Sequence, residues 1–186
     1  LGYEWDSDLD NGARPAGLID LSSTTVAVNT LLLDYGNTTG PGTATHSLTL
    51  YRAPSGALVF GAGTVYWSWG LDSHHDNEAT PTDPNVQQAM VIRVADRCVQ
   101  PTTRMQSLAF ATQSTDHTAP TSQITSPTTT GSYTAAQPMT ITGTAVDNGG
   151  GTVAAVEVST DGGTSWHRAT GFETWRAQPA MARSNI

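Results

Sequence analysis

From Thr112 to Thr130 the chain reads Thr-Gln-Ser-Thr-Asp-His-Thr-Ala-Pro-Thr-Ser-Gln-Ile-Thr-Ser-Pro-Thr-Thr-Thr. A polar run interrupted by two prolines buries too little apolar surface to form a core, so it reads as a linker. It divides the 186 residues into a first part, 1–112, a Thr/Ser/Pro linker, 113–130, and a second part, 131–186. The first part holds three of the five tryptophans and the longest apolar runs, and so has the material for a core of its own.

Within the first part, Leu48-Thr-Leu-Tyr, Ala53-Pro-Ser-Gly and Ala57-Leu-Val-Phe-Gly-Ala-Gly-Thr-Val-Tyr-Trp read as strand, turn and strand. The second strand is almost continuously apolar, which predicts that both its faces are covered, as in a parallel or mixed sheet under helices. A helix is expected from Asp83, with Asp83 as its cap and Pro84 in its first turn. Val86, Met90 and Val94 recur on one face of it, with Val91 and Cys98 beside them, and Pro101 stops it. In the second part, Met139-Thr-Ile-Thr-Gly-Thr-Ala and Val153-Ala-Ala-Val-Glu-Val-Ser alternate apolar and polar residues, as strands of a sandwich do. The 56 residues of 131–186 are fewer than a full seven-stranded sandwich needs, so a truncated module is expected.

Charged residues are only 13 % of the chain, lysine is absent and the net charge is -8. With no basic run there is no groove for nucleic acid and no attraction to anionic membrane surfaces. No stretch approaches the ~20 apolar residues of a membrane-spanning helix. The single cysteine, Cys98, excludes an internal disulfide framework and a cysteine-based zinc site, and its place beside Val91 and Val94 predicts a buried, inert thiol. The composition fits an extracellular or cell-surface protein, whose export signal is expected upstream of Leu1, since the first residues contain neither a basic nor an apolar signal region.

Thr118-Ala-Pro-Thr-Ser, Ile141-Thr-Gly-Thr-Ala-Val-Asp and Val156-Glu-Val-Ser-Thr-Asp-Gly-Gly-Thr-Ser-Trp resemble the bacterial Ig-like modules that follow catalytic domains in exported proteins. The last of these is also similar to the β-sandwich appended to sulfite-oxidase-type molybdenum enzymes, a shared hairpin that does not point to molybdenum. Ser159-Thr-Asp-Gly-Gly-Thr-Ser-Trp resembles the Asp-box hairpin, in which Asp and Ser tie down the turn and Trp packs beneath it.

Leu1-Gly-Tyr-Glu-Trp-Asp, Arg14-Pro-Ala-Gly-Leu, His46-Ser-Leu-Thr-Leu-Tyr-Arg and Gly61-Ala-Gly-Thr-Val-Tyr-Trp-Ser-Trp-Gly-Leu-Asp resemble the C-terminal domain of the N,N-dimethylformamidase large (beta) subunit family, over residues of about 1–112. The resemblance implies the last strands and helix of a glutamine-amidotransferase-like α/β fold. It also implies hydrolysis of a C–N bond in a small amide, with an iron ion held by tyrosine and glutamate side chains. Glu4 is the glutamate that aligns, and the tyrosines would precede Leu1. The alternative is a non-catalytic surface protein that binds glycans or serves adhesion, with Ig-like units as spacers.

Glu4, between aromatic neighbours, is a hard oxygen donor suited to a metal that polarises an amide carbonyl, or else a carboxylate in ordinary hydrogen bonds. His46, before an apolar strand, could orient a ligand or donate a proton. Trp67 and Trp69, two apart on an extended segment, would point the same way and line a substrate pocket, or else pack in the core. Asp6-Ser-Asp-Leu-Asp-Asn-Gly departs from a calcium loop, with its glycine one place late and Gly17 where a bidentate Glu would stand, and reads as a solvated acidic turn. The adjacent His74 and His75 cannot both readily face one metal and read as structural or solvated. No serine nucleophile motif is present.

Overall fold

A computed structural model describes residues 4–76, 80–128 and 138–178. It divides into two units, one of Leu1–Asp8, Leu21–Leu50 and Leu58–Thr115, the other of Leu9–Asp20, Tyr51–Ala57 and Asp116–Ile186.

The first unit is built on a sheet ordered β1-β2-β3, with β1 at Ile19–Leu33, β2 at Thr38–Arg52 and β3 at Leu58–Gly61. Sequential strands joined by so few residues can pair only antiparallel, because a parallel pair needs a crossover of a dozen residues or more. The β2–β3 connection is a tight turn: Gly56 donates to the Ala53 carbonyl at 2.8 Å and Ala53 to the Ala57 carbonyl at 2.9 Å. The glutamine-amidotransferase-like α/β fragment with a parallel or mixed sheet is therefore overturned, since every registered strand pair among the described residues is antiparallel and there is one α-helix. The apolar run from Ala57 to Trp67 misled the expectation. It is strand only to Gly61; Gly63 turns the chain at φ +65°, and Trp67–Gly70 is a short 3-10 helix.

Helix α1 is Pro84–Ala95. Its start follows the sequence: the Asp83 carboxylate accepts from the amides of Asn85 at 2.7 Å and Val86 at 3.3 Å, and Pro84 fills the first turn, where a missing N–H costs nothing. The buried face carries Val86, Gln87, Val91 and Ala95, rotated from the expected Val86, Met90 and Val94. Gln87 is buried at no loss because its amide donates to the Leu71 carbonyl at 2.9 Å. Cys98 lies beyond the helix in a left-handed turn at φ +60° and is exposed, with its thiol 3.1 Å from the Gln113 side-chain oxygen. The expected buried thiol is corrected because the helix ends three residues before it.

The second unit holds a sheet ordered β4-β5-β9-β8, with β4 at Thr121–Ser126, β5 at Ile141–Val146, β8 at Thr170–Gly171 and β9 at Thr174–Ala177. A hairpin of β6, Glu157–Val158, and β7, His167–Arg168, completes it. Strand β4 lies inside the stretch read as a linker; all six of its residues are exposed, and it is held by its ladder with β5. Strand β5 alternates as expected, turning Ile141, Gly143 and Ala145 inward. Ile141 and Ala145 pack with Val153, Val158, Ala169, Trp175 and Ala177 in one core shared by the sheet and the hairpin, consistent with an Ig-like β-module. Gly143 pairs with Trp175 across the ladder, and a Cβ there would fall 2.1 Å from the indole, so only glycine lets the tryptophan lie over the strand. Residues 179–186 lie outside the described residues.

Candidate functional site

Three segments distant in sequence meet at the β2–β3 side of the first unit. Asp6 donates its amide to the Gly63 carbonyl at 2.9 Å and accepts from the Ser47 amide at 3.0 Å, so the Glu4–Asp6 segment is held by backbone bonds to β2 and to the turn after β3. Trp5 packs its ring against that of His46, with centroids 5.5 Å apart and planes inclined at 57°. His46 Nε2 lies 2.9 Å from the Ala62 carbonyl oxygen. A carbonyl only accepts, so Nε2 carries a proton, and Nδ1 has no hydrogen-bond partner among the described residues.

Gly63 makes this closeness possible. A Cβ at this residue would lie 2.5 Å from the Ser47 carbonyl and 3.0 Å from His46 Nε2, and its φ of +65° disfavours any other residue. Glu4 is exposed and takes a left-handed backbone conformation, φ +49°, which a non-glycine residue holds only where its surroundings impose it. The sequence thus marked Glu4 and His46, but not the pieces that join their segments, Trp5 and Gly63. Gly63 is the second glycine of Gly61-Ala-Gly, and that pair of glycines is the one signal of it in the sequence.

The two predicted tryptophans diverge. In a 3-10 helix, residues two apart lie on different sides, so the expectation that they point the same way fails. Trp67 meets Phe60 edge-on at 5.5 Å, and its Nε1 is buried with no hydrogen-bond partner among the described residues. Trp69 stacks with Tyr66 at 3.8 Å and with His75 at 4.3 Å, the planes within 12° and 5°. Helix α1 anchors this aromatic segment: the Asp83 amide donates to the Gly70 carbonyl at 2.9 Å, and Gly70 packs against Val86.

His74 and His75 separate as their adjacency requires. His74 is exposed with Nδ1 3.0 Å from an Asp72 carboxylate oxygen, while His75 lies in the aromatic stack. The His74 amide, and then its ring, hold the Asp72 carboxyl below its ordinary value. The acidic turn also disperses: Asp6 is engaged through its backbone in the first unit, whereas Asp10, in the second, has a carboxylate oxygen 2.9 Å from His167 Nδ1.

The resemblance implies iron. Glu4 supplies one hard oxygen, but among the described residues no group of three or more His, Cys, Asp or Glu side chains could hold a metal ion. The residues present do not make an iron site by themselves, and no chemical step is derived through one. No helix among the described residues is long and apolar enough to cross a membrane.

No curated protein and no solved structure matches the chain. Residues 1–79 match the family described as N,N-dimethylformamidase beta subunit-like, C-terminal, and residues 120–184 match the bacterial Ig domain, so both resemblances read from the sequence are found, in that order along the chain.

Proposed function

We propose that the first part of this chain contributes to an amidohydrolase-like domain, acting on the C–N bond of a small amide, in an exported protein whose Ig-like module follows it. Support comes from the family match over residues 1–79. The observation that carries the reading is the cluster of Glu4, Trp5, His46 and Gly63, which joins an exposed carboxylate's segment to a histidine held through its Nε2.

In this reading each residue has a task its geometry suits. Glu4 is the residue that would offer an oxygen to an iron ion. His46, anchored through Nε2 to Ala62, takes up or returns a proton at Nδ1. Trp67, set edge-on against Phe60 and with an indole N–H that has no hydrogen-bond partner among the described residues, borders the substrate. Trp69, held by stacking with Tyr66 and His75, borders the substrate beside it.

The test is to purify the complete gene product and measure bound iron and amide hydrolysis for wild type, Glu4→Gln and His46→Gln. Glu4→Gln is expected to lower iron occupancy, and His46→Gln to lower turnover while leaving iron in place. Unchanged iron content and unchanged hydrolysis in both variants would refute the reading.

A further inference from the structure

The second unit carries a recess that neither the amide reading nor the family matches use. It has a volume of about 360 Å³ and is lined by Asp10, Arg168, Thr170, Gly171 and Phe172, together with Ala155 and Ala169. That volume lies at the small end of ligand pockets and suits one or two sugar rings.

Phe172 is out of place for a purely structural residue. It occupies the connection from β8 to β9, where tight turns favour Gly, Asn or Asp, and it leaves 47 % of its surface exposed. The turn itself is fixed, because Gly171 has φ +96° and a Cβ there would fall 2.2 Å from the Thr174 carbonyl. The backbone therefore presents the ring without help from the core.

The polar wall is donor and acceptor at once, with its strong charge already spent. Arg168 is paired through Nη1 with Asp20, whose side chain is only 6 % exposed, and the guanidinium keeps further N–H groups. Asp10 has one carboxylate oxygen on His167 and the other to offer. An anion would meet Asp10 and a chain of net charge -8, and a cation would meet Arg168. A neutral ligand with neighbouring hydroxyls meets neither penalty: each hydroxyl can donate to the carboxylate and accept from the guanidinium, while an apolar ring face covers Phe172.

We propose that this recess binds a neutral saccharide, with Asp10 and Arg168 on adjacent hydroxyls, Thr170 assisting and Phe172 under the sugar face. The proposal does not depend on the amidohydrolase reading, since it uses no residue of the first unit.

The test is a titration of the isotope-labelled full chain with glucose, galactose, mannose, N-acetylglucosamine, cellobiose and maltose, followed by amide chemical shifts. At least one sugar is expected to move the amides of Asp10 and of Thr170 to Glu173 in a saturable way. Phe172→Ala, at an exposed turn, should weaken that binding about tenfold, and Thr170→Val should weaken it less. The amides of β5 and β9 report whether each variant remains folded. The proposal is overturned if no sugar shifts those amides up to its solubility. Saturable shifts that leave them untouched, affinity unchanged in folded Phe172→Ala, or tighter binding of glucosamine or glucuronate than of glucose would each overturn it as well.

Discussion

Arg14 and Glu157, 143 residues apart in sequence, form an ion pair in the second unit whose side chains are only 2 % and 11 % exposed. The Glu157 carboxylate also accepts from the Gly17 amide at 2.6 Å, and Arg14 Nη2 donates to the Leu18 carbonyl at 2.7 Å. Breaking one side of such a pair strands a buried charge, so Arg14→Ala should cost about 3–5 kcal/mol in urea unfolding. Replacing both partners, as in Arg14→Met with Glu157→Leu, should cost clearly less, because no charge is then left unpaired. Equal costs for the single and double replacements would mean that the pair is not buried in solution.

Gly63 should be the least replaceable glycine of the first unit. Gly12, in the second unit, also has positive φ, at +81°, but a Cβ there meets nothing within 4 Å. Gly12→Ala therefore carries only the left-handed penalty of about 1 kcal/mol. Gly63→Ala adds the collision with Ser47 and His46, and should cost at least twice as much in thermal unfolding. It should also shift the His46 ring resonances, because the bond to Ala62 cannot survive the displacement. A His46 spectrum unchanged in Gly63→Ala would detach the glycine from the histidine's placement.

The parts of the fold that were legible in sequence are those where one local rule acts alone. Asp83 followed by Pro84 fixed the start of α1, and the alternation of Ile141, Gly143 and Ala145 fixed the inward face of β5. The long β1–β2 hairpin was only partly legible, at Leu48-Thr-Leu-Tyr, because most of β1 is exposed and its Ser, Thr and Asn residues show no apolar period. The run from Ala57 to Trp67 was misread because apolar content alone does not separate a buried strand from a turn lined with stacked aromatics. At the candidate site, Glu4 and His46 could be marked by chemistry. Their association with Trp5 and Gly63 depends on pairing between Asp6, Ser47 and Gly63, which no spacing in the sequence encodes.

The Asp161 hairpin allows a prediction with a defined pH window. The Asp161 carboxylate accepts from the Ser165 hydroxyl at 2.6 Å, the Ser165 amide at 2.9 Å and the Ser159 hydroxyl at 2.8 Å. The Ser165 hydroxyl is the largest of the causes that bring its pKa from 3.8 down to about 2. The Trp166 indole lies 3.8 Å from where a Cβ on Gly163 would stand. A carboxyl depressed on folding contributes stability that is complete above its unfolded pKa and is lost as pH falls through its folded pKa. The hairpin should therefore be unaffected from neutral pH down to 3.8 and should loosen between 3.8 and about 2. Ser165 amide and Trp166 indole shifts followed against pH read this directly. Asp161→Asn should abolish the transition and, by losing the second carboxylate oxygen, release the Ser165 hydroxyl. A midpoint at the ordinary carboxyl value of 3.8 would show that the serines do not hold the charge.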